Sequence, residues 1–131
     1  MNNIAIVQVT CPDAATAETI ARTLLYERLI TCANIFDKAL SLYRWEGAIM
    51  QGDEVVMQLK TAPIAIPAIR ARIATLHPYD LPAIEHWQAT VTEQLAAWIA
   101  TLHPYDLPAI EHWQATVTEQ LAAWIADGIE A

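Results

Sequence analysis

Hydrophobic residues recur along the first part of the chain with two different spacings. Residues 4–9 form a short apolar run that Pro12 ends, which is typical of a buried strand. After Asp13, a good helix cap, apolar residues recur every three or four positions, which predicts an amphipathic helix. Its apolar stripe comprises Ala17, Ile20, Ala21, Leu24 and Leu25. The chain therefore begins with a strand and a helix.

The next part of the chain predicts a hairpin and a second helix. An extended segment over 31–45 leads to Glu46-Gly47, which offers a turn, and residues 55–59 return as a strand. A helix is predicted over residues 64–76. Pro67 must lie in its first turn, because a proline further inside would break the hydrogen-bond ladder.

A last strand over 83–88 and a helix over 92–99 complete the order β-α-β-β-α-β with a C-terminal helix. This order predicts an α+β fold of the ferredoxin-like type, in which two βαβ halves form one antiparallel sheet with helices on one face. The other face of such a sheet needs a cover, and a partner subunit is the usual one.

The sequence contains a perfect repeat. Residues 73–98 recur without change as residues 99–124, and removing one copy from the 131 residues leaves 105. Two copies are too few for a stacked array. We therefore predict one domain over 1–98, with 99–131 as the duplicate and a tail. Either copy could supply the last strand; we expect the first copy in the core and the second appended, partly ordered or exchanged.

Composition and charge narrow the class of protein. Hydrophobic residues make up 55% and charged residues 17%, and the net charge is −8. No Lys or Arg follows residue 72, which argues against a nucleic-acid partner. No apolar run would span a membrane, and the first residues lack a basic region, so no membrane partner and a cytoplasmic location are expected. Two cysteines are too few for a disulfide framework.

Five segments together resemble the CutA family of divalent-cation tolerance proteins. They are Cys11-Pro12-Asp13, residues 31–35 (TCANI), residues 41–47 (SLYRWEG), Leu59-Lys60-Thr61 and residues 77–82 (HPYDLP). The resemblance implies a fold like that of the PII signalling proteins and a homotrimer. It also implies a link to tolerance of copper and other divalent cations, and no settled enzymatic activity.

The chain departs from the family at positions that matter for copper. Some bacterial members have a cysteine on the first strand and two histidines before Pro-Tyr, where this chain has Val9, Leu76 and His77. Ala83 replaces a usual Glu, and Ile66 a usual aromatic residue. Copper prefers thiolate and imidazole ligands, and one imidazole cannot hold it alone. The resemblance therefore implies a degraded copper site, with copper or another divalent cation as the candidate ligand and no certain cofactor.

Histidines and cysteines are the other candidate chemical groups. His77 is a candidate metal ligand or proton donor, with helix capping as the alternative. His86 is predicted at the surface or in an interface, because no second ligand lies beside it at metal spacing. Cys32 and Cys11 are predicted to be buried, although a helix start could make Cys11 reactive. The sequence has no nucleophile–base pair and no phosphate-binding loop, so no enzyme is predicted.

Four residues occupy positions where the CutA family builds a polar cleft between subunits. They are Tyr43, Trp45, Glu54 and Lys60. On their own, aromatic residues on a hairpin are more often packing anchors. Glu54 and Lys60 could equally form a buried structural ion pair.

The outer face of the helix over 64–76 is unusually apolar. If Ile66, Ile69, Ile73 and Leu76 face the core, the opposite face carries Ile64, Ala68, Ala71 and Thr75. A helix that is apolar all round is buried or contacts another protein. This face and the perfect repeat suggest a second hypothesis, an engineered CutA-like trimer that serves as a building block of a designed assembly and docks a second protein through this face.

Overall fold

The computed structural model describes residues 2–102 and the two residues 116–117. Within this part, a short 3-10 turn over Pro63–Ala65 precedes the second helix. The strands and helices are β1 Asn3–Cys11, α1 Ala14–Tyr26, β2 Cys32–Trp45, β3 Ala48–Thr61, α2 Ile66–Leu76, β4 Ile84–Thr90, α3 Glu93–Leu102 and β5 Thr116–Val117. None of the described helices is long and apolar enough to cross a membrane.

The strands form one sheet in the order β2-β3-β1-β4-β5, and each neighbouring pair is antiparallel. β1 is central: Val7 lies opposite Leu59 of β3 on one side and His86 of β4 on the other. The order of the first four strands is that of a ferredoxin-like sheet, so the predicted α+β class and topology are confirmed.

The two faces of the sheet are covered unequally. On one face, alternate residues of β1 and β3 pack with α1 and α2 to form the main core, which includes Val7, Leu59 and Ile69, all fully buried. On the other face, α3 covers only the part that carries Ile4 and Ile6. The rest of this second face has no helix over it among the described residues.

Local signals explain the limits of α1. Asp13 accepts a hydrogen bond from the Thr16 amide at 2.7 Å, as a helix N-cap does. The helix ends where Arg28 takes a left-handed conformation with φ 60° and the Leu29 amide donates to the Leu24 carbonyl. The predicted start of this helix is therefore confirmed.

The hairpin is longer than the sequence predicted. β3 begins at Ala48 rather than Val55, and Glu46 and Gly47 alone join it to β2, with φ of 50° and 80°. Positive φ at both positions is the two-residue turn that matches the twist of a hairpin. The polar stretch over 51–54 hid the first half of β3, because it interrupts the apolar pattern from which a strand is predicted.

A bulge divides β2. The pairing shifts between Phe36 and Ala39, so that Asp37 and Lys38 together lie opposite one residue of β3, and Lys38 has φ 64°. We call residues 37–54, which comprise the bulge and the part of the hairpin beyond it, the arm.

The arm exposes many large apolar side chains. Leu40 is 60% exposed, Leu42 63% and Ile49 73%, and Tyr43, Trp45 and Met50 are exposed as well. Leu40, Leu42 and Ile49 are the most exposed of these side chains. Within the described part of the chain, the arm therefore presents a largely uncovered apolar surface.

The first copy of the repeat supplies β4, as predicted. Residues 84–90 pair with β1, and α3 runs from Glu93 to Leu102, across the end of the first copy at residue 98. Ile99, the first residue of the second copy, is 1% exposed and packs with Ile4 and Ile6. Most of the second copy lies outside the described residues, so its appended, partly ordered or exchanged state stays a prediction. Its described residues Thr116–Val117 pair with β4.

Candidate functional site

A hydrogen-bonded group lies where β1 ends and the loop after α2 crosses it. His77 Nε2 donates to the Thr10 carbonyl at 2.8 Å, and His77 Nδ1 accepts from the Tyr79 amide at 3.1 Å. One ring nitrogen therefore donates and the other accepts, which is the pattern of a neutral imidazole. Burial lowers the pKa of His77, although the bond to Thr10 and the carboxylate of Glu54 act in the opposite direction.

Tyr79 connects this loop to the arm. Its hydroxyl donates to Glu54 Oε2 at 2.8 Å, and its ring lies 4.8 Å from that of His77. Burial raises the pKa of Tyr79, and the hydrogen bond to Glu54 raises it further. Tyr79 is therefore a neutral donor that holds Glu54, the last residue of the arm.

Cys11 lies beside this group and is fully buried, as predicted. Burial, followed by the carboxylates of Asp13 and Glu54, raises the pKa of the Cys11 thiol to about 11. Burial and the two carboxylates therefore disfavour the thiolate, which is the nucleophilic form, and count against the alternative of a reactive thiol. Cys32, predicted to be buried, is half-buried.

These residues do not fit a copper centre. Both ring nitrogens of His77 already have protein partners, so a metal would have to displace one of them. Val9 is fully buried in the main core and Leu76 packs against it, so the positions that the family resemblance links to copper are apolar packing here. In the part of the chain that the structure describes, no three His, Cys, Asp or Glu side chains are grouped to hold a metal ion.

His86 is buried within the chain, whereas the sequence predicted it at the surface or in an interface. It is 3% exposed and lies on the same face of β4 as Ile84, which belongs to the main core. Burial lowers the pKa of His86, and the positive charge of Arg70 lowers it further. The prediction failed because the sequence does not tell which face of β4 is covered.

The four predicted cleft residues do not meet in one chain. Trp45 lies opposite Ala48 near the turn, whereas Lys60 lies twelve residues further along β3, about 40 Å away. Glu54 and Lys60 are six residues apart on the same strand, about 20 Å, so the predicted ion pair between them is wrong for a single chain. Glu54 binds Tyr79 instead. The sequence could have suggested this partner only through the loop motif that contains Tyr79.

The outer face of α2 is less apolar than predicted. Ala68 packs against the main core, and Ile64 lies in the 3-10 turn before α2 and is half-buried, so only Ala71 and Thr75 of the four are exposed. Arg72 lies between these two, and its Nε donates to Glu27, the residue directly after α1, at 2.9 Å, while its Nη1 donates to the Thr75 hydroxyl. A protein contact through this face stays a prediction.

The comparisons with known proteins agree with the fold. The sequence model of the CutA1 divalent ion tolerance protein family matches residues 5–101. Over 79 residues, 60% of this chain, the divalent-cation tolerance proteins CutA of Pyrococcus horikoshii and Thermus thermophilus are 47% and 39% identical; the match covers 76% and 77% of their own lengths. Protein CutA of the mouse is 33% identical over 100 residues, 67% of this chain and 56% of the mouse protein.

Solved structures give the same result. The CutA1 crystal structure from Ehrlichia chaffeensis has a TM-score of 0.74 and 34% identity, and the match covers 78% of this chain and 96% of that one. CutA1 of Pyrococcus horikoshii has a TM-score of 0.73 and 38% identity, over 77% of this chain and 99% of that one. The chain belongs to the CutA1 divalent ion tolerance family. These comparisons give no support to the hypothesis of an engineered building block.

Proposed function

We propose that this chain is a non-enzymatic, cytoplasmic CutA protein that acts in divalent-cation tolerance as a homotrimer and has lost a tight copper site. The observation that carries the trimer is the apolar arm over 37–54. The family membership supports the tolerance function, and the cytoplasmic location follows from the sequence expectation alone.

The arm supports a trimer because its exposed side chains are too apolar for a solvated hairpin. Leu42 and Ile49 are both more than 60% exposed in one chain. Each large apolar side chain that becomes buried contributes roughly 1.5–3 kcal/mol, so a surface with several of them favours association. The spread of Tyr43, Trp45, Glu54 and Lys60 along one hairpin supports the same proposal, because a cleft made of all four requires more than one chain.

Sedimentation equilibrium tests the trimer. The chain is expected to sediment as a trimer at micromolar concentration. Ile49→Asp should dissociate it, because a carboxylate would lie in the apolar contact, while a monomer would tolerate the change at this exposed position. Tyr26→Asp is the matched control: Tyr26 is 91% exposed on α1, away from the arm, and this variant should remain a trimer. A wild-type monomer would contradict the proposal.

Calorimetric titration with Cu²⁺ tests the loss of the copper site. The chain is expected to bind copper weakly or not at all at His77, because both ring nitrogens have protein partners. His103 repeats His77 in the second copy, so the matched variant is His77→Gln with His103→Gln. Its isotherm should equal that of the wild type. A tight, stoichiometric site that the double variant loses would contradict the proposal.

A further inference from the structure

The edge of β1 and the part of the sheet around Ile4 and Ile6 form a surface on which residues 83–100 lie. Seven residues of β4 pair with β1, from Ile84 opposite Val9 to Thr90 opposite Asn3. Ile84 enters the main core at 2% exposure, and Ile99 of α3 packs with Ile4 and Ile6 at 1% exposure. These side chains and backbone groups are what the surface recognises.

The chain contains a second segment with every one of these features. Residues 109–126 have the same sequence as residues 83–100, so Ile110 corresponds to Ile84, Thr116 to Thr90 and Ile125 to Ile99. Any contact that the surface makes with the first segment is therefore equally available to the second. The surface has no chemical means to distinguish them.

The loop that leads to this surface would also allow the second segment to take the place of the first. The loop over 77–83 joins α2 to β4, and Pro78, Tyr79 and Asp80 in it are exposed. If residues 78–103 extended this loop, residues 109–126 would lie beside β1, and no helix or strand would be interrupted. The sequence of the folded part would be unchanged, because the repeat is perfect.

We propose that this surface binds either copy, and that a minor population of the chain holds residues 109–126 beside β1 in place of residues 83–100. Lengthening a loop of seven residues by 26 reduces its closure probability about tenfold, because the closure entropy grows as three-halves of the logarithm of length. The first copy is therefore the major occupant, as in the structure. The exchanged chain is on the order of one in ten.

Matched substitutions in the two copies test the exchange in the full chain. Ile84→Asp puts a carboxylate into the core, so a chain with one fixed arrangement would have its unfolding constant raised on the order of a thousandfold or more. With exchange, the second copy replaces the damaged one, and Ile84→Asp raises the unfolding constant only about tenfold. Ile110→Asp should change it less than twofold. The double variant should show the full loss.

Urea denaturation of the four chains at one protein concentration measures these constants. The proposal is supported if Ile84→Asp is far more stable than the double variant. It is overturned if Ile84→Asp is as unstable as the double variant, or does not fold at all, because the second copy then does not replace the first.

A disulfide trap detects the exchanged chain directly. Asn3 and Thr90 lie directly opposite each other on β1 and β4. The next pair along, Asn2 and Val91, is joined by a hydrogen bond from the Val91 amide to the Asn2 carbonyl, so Asn3 and Thr90 form a non-hydrogen-bonded pair. The Cα atoms of such a pair are close enough for a disulfide. In the major arrangement Thr116 lies opposite His86 on the far side of β4, about 16 Å from Asn3. A bond between positions 3 and 116 therefore requires the exchange.

The experiment uses chains in which Cys11 and Cys32 are changed to Ala and Ser. Asn3→Cys with Thr116→Cys should form a disulfide within one chain under mild oxidation, about tenfold more slowly than Asn3→Cys with Thr90→Cys. Mass spectrometry of the joined peptides, on material with the mass of one chain, identifies it. If the 3–90 disulfide forms and the 3–116 disulfide does not, the proposal is overturned.

Discussion

The two ends of the β2–β3 hairpin have similar residues and opposite environments. At its base, Met57 and Leu59 of β3 are fully buried beneath α1 and α2. In the arm, Leu40 and Leu42 of β2 are more than half exposed. The difference lies in the cover, because both helices pack over the base and neither reaches the arm. Alternation along a strand therefore tells which way a side chain points, and the apolar character of a face left uncovered by the described residues is what supports the proposed trimer.

Two leucines of the hairpin should give the largest contrast. Leu59→Ala should lower the free energy of unfolding by about 2–5 kcal/mol, because it removes a fully buried side chain from the main core. Leu40→Ala should leave the isolated chain nearly unchanged, since Leu40 is 60% exposed, and should act only by weakening the trimer.

Urea denaturation over a range of protein concentrations separates the two effects. The loss in Leu59→Ala should persist at every concentration. The loss in Leu40→Ala should disappear once dilution has dissociated the trimer. A loss in Leu40→Ala that does not depend on concentration would mean that the arm is covered within one chain.

The link between the two regions is the bond from Tyr79 to Glu54. Tyr79→Phe should cost about 1 kcal/mol in thermal or urea denaturation, because it removes one hydrogen bond to a carboxylate that is partly accessible to solvent. Tyr26→Phe is the matched control on a residue that is 91% exposed, and it should have no effect. Equal stability of the two variants would show that the loop does not hold the arm.

An effect of pH on stability is also expected, and it comes from the two buried histidines on the covered side of the molecule. Burial lowers the pKa of His77 and of His86 from the ordinary 6.5. Below pH 6.5 the unfolded chain therefore binds protons that the folded chain does not, so stability is complete above this pH and falls as the pH decreases toward the folded pKa values. The slope is at most about 1.4 kcal/mol per pH unit for each histidine.

Denaturation curves between pH 7.5 and 5 measure this slope. The double variant His77→Gln with His86→Gln should have a lower absolute stability and a flatter pH dependence. The arm variant Ile49→Ser serves as the control, with a slope equal to that of the wild type. A double variant that keeps the full slope would assign it to other groups.

Deleting residues 99–124 should have the smallest effect on stability. The deletion joins Trp98 to Ile125 and Ala126, which repeat the Ile99 and Ala100 of α3, so the packing on Ile4 and Ile6 is kept. The melting temperature should be unchanged or higher, and sedimentation should still give a trimer. A deletion variant that does not fold would make the second copy an integral part of the fold.

The sequence predicted the order of elements because each has a strong local signal. Asp13 marks the start of α1, and Glu46-Gly47 marks the turn of the hairpin. The first half of β3 was missed because its polar stretch over 51–54 lacks the apolar alternation that marks a covered strand.

The site was less predictable because its contacts join distant parts of the chain. His77 binds Thr10, which is 67 residues away, and Tyr79 binds Glu54, which is 25 residues away. Residue types and family motifs identified His77 and Glu54 as candidates. They could not tell that His77 uses both ring nitrogens within the protein. The distance between Glu54 and Lys60, which flank the predicted strand over 55–59, did follow from the sequence.

The bulge at Asp37 and Lys38 shifts the alternation of side chains along β2 by one residue. One additional residue reverses the alternation of everything beyond it, so Tyr43 and Trp45 lie on the same side of the hairpin as Glu54, while Leu40 and Leu42 lie on the other. Asp37 and Lys38 together lie opposite one residue of β3, so removing Lys38 alone would restore regular pairing and leave each side chain beyond the bulge on its present side. The pairing with β3 therefore fixes which surface the arm offers to a neighbour, and the bulge fixes which residues of β2 reach that surface.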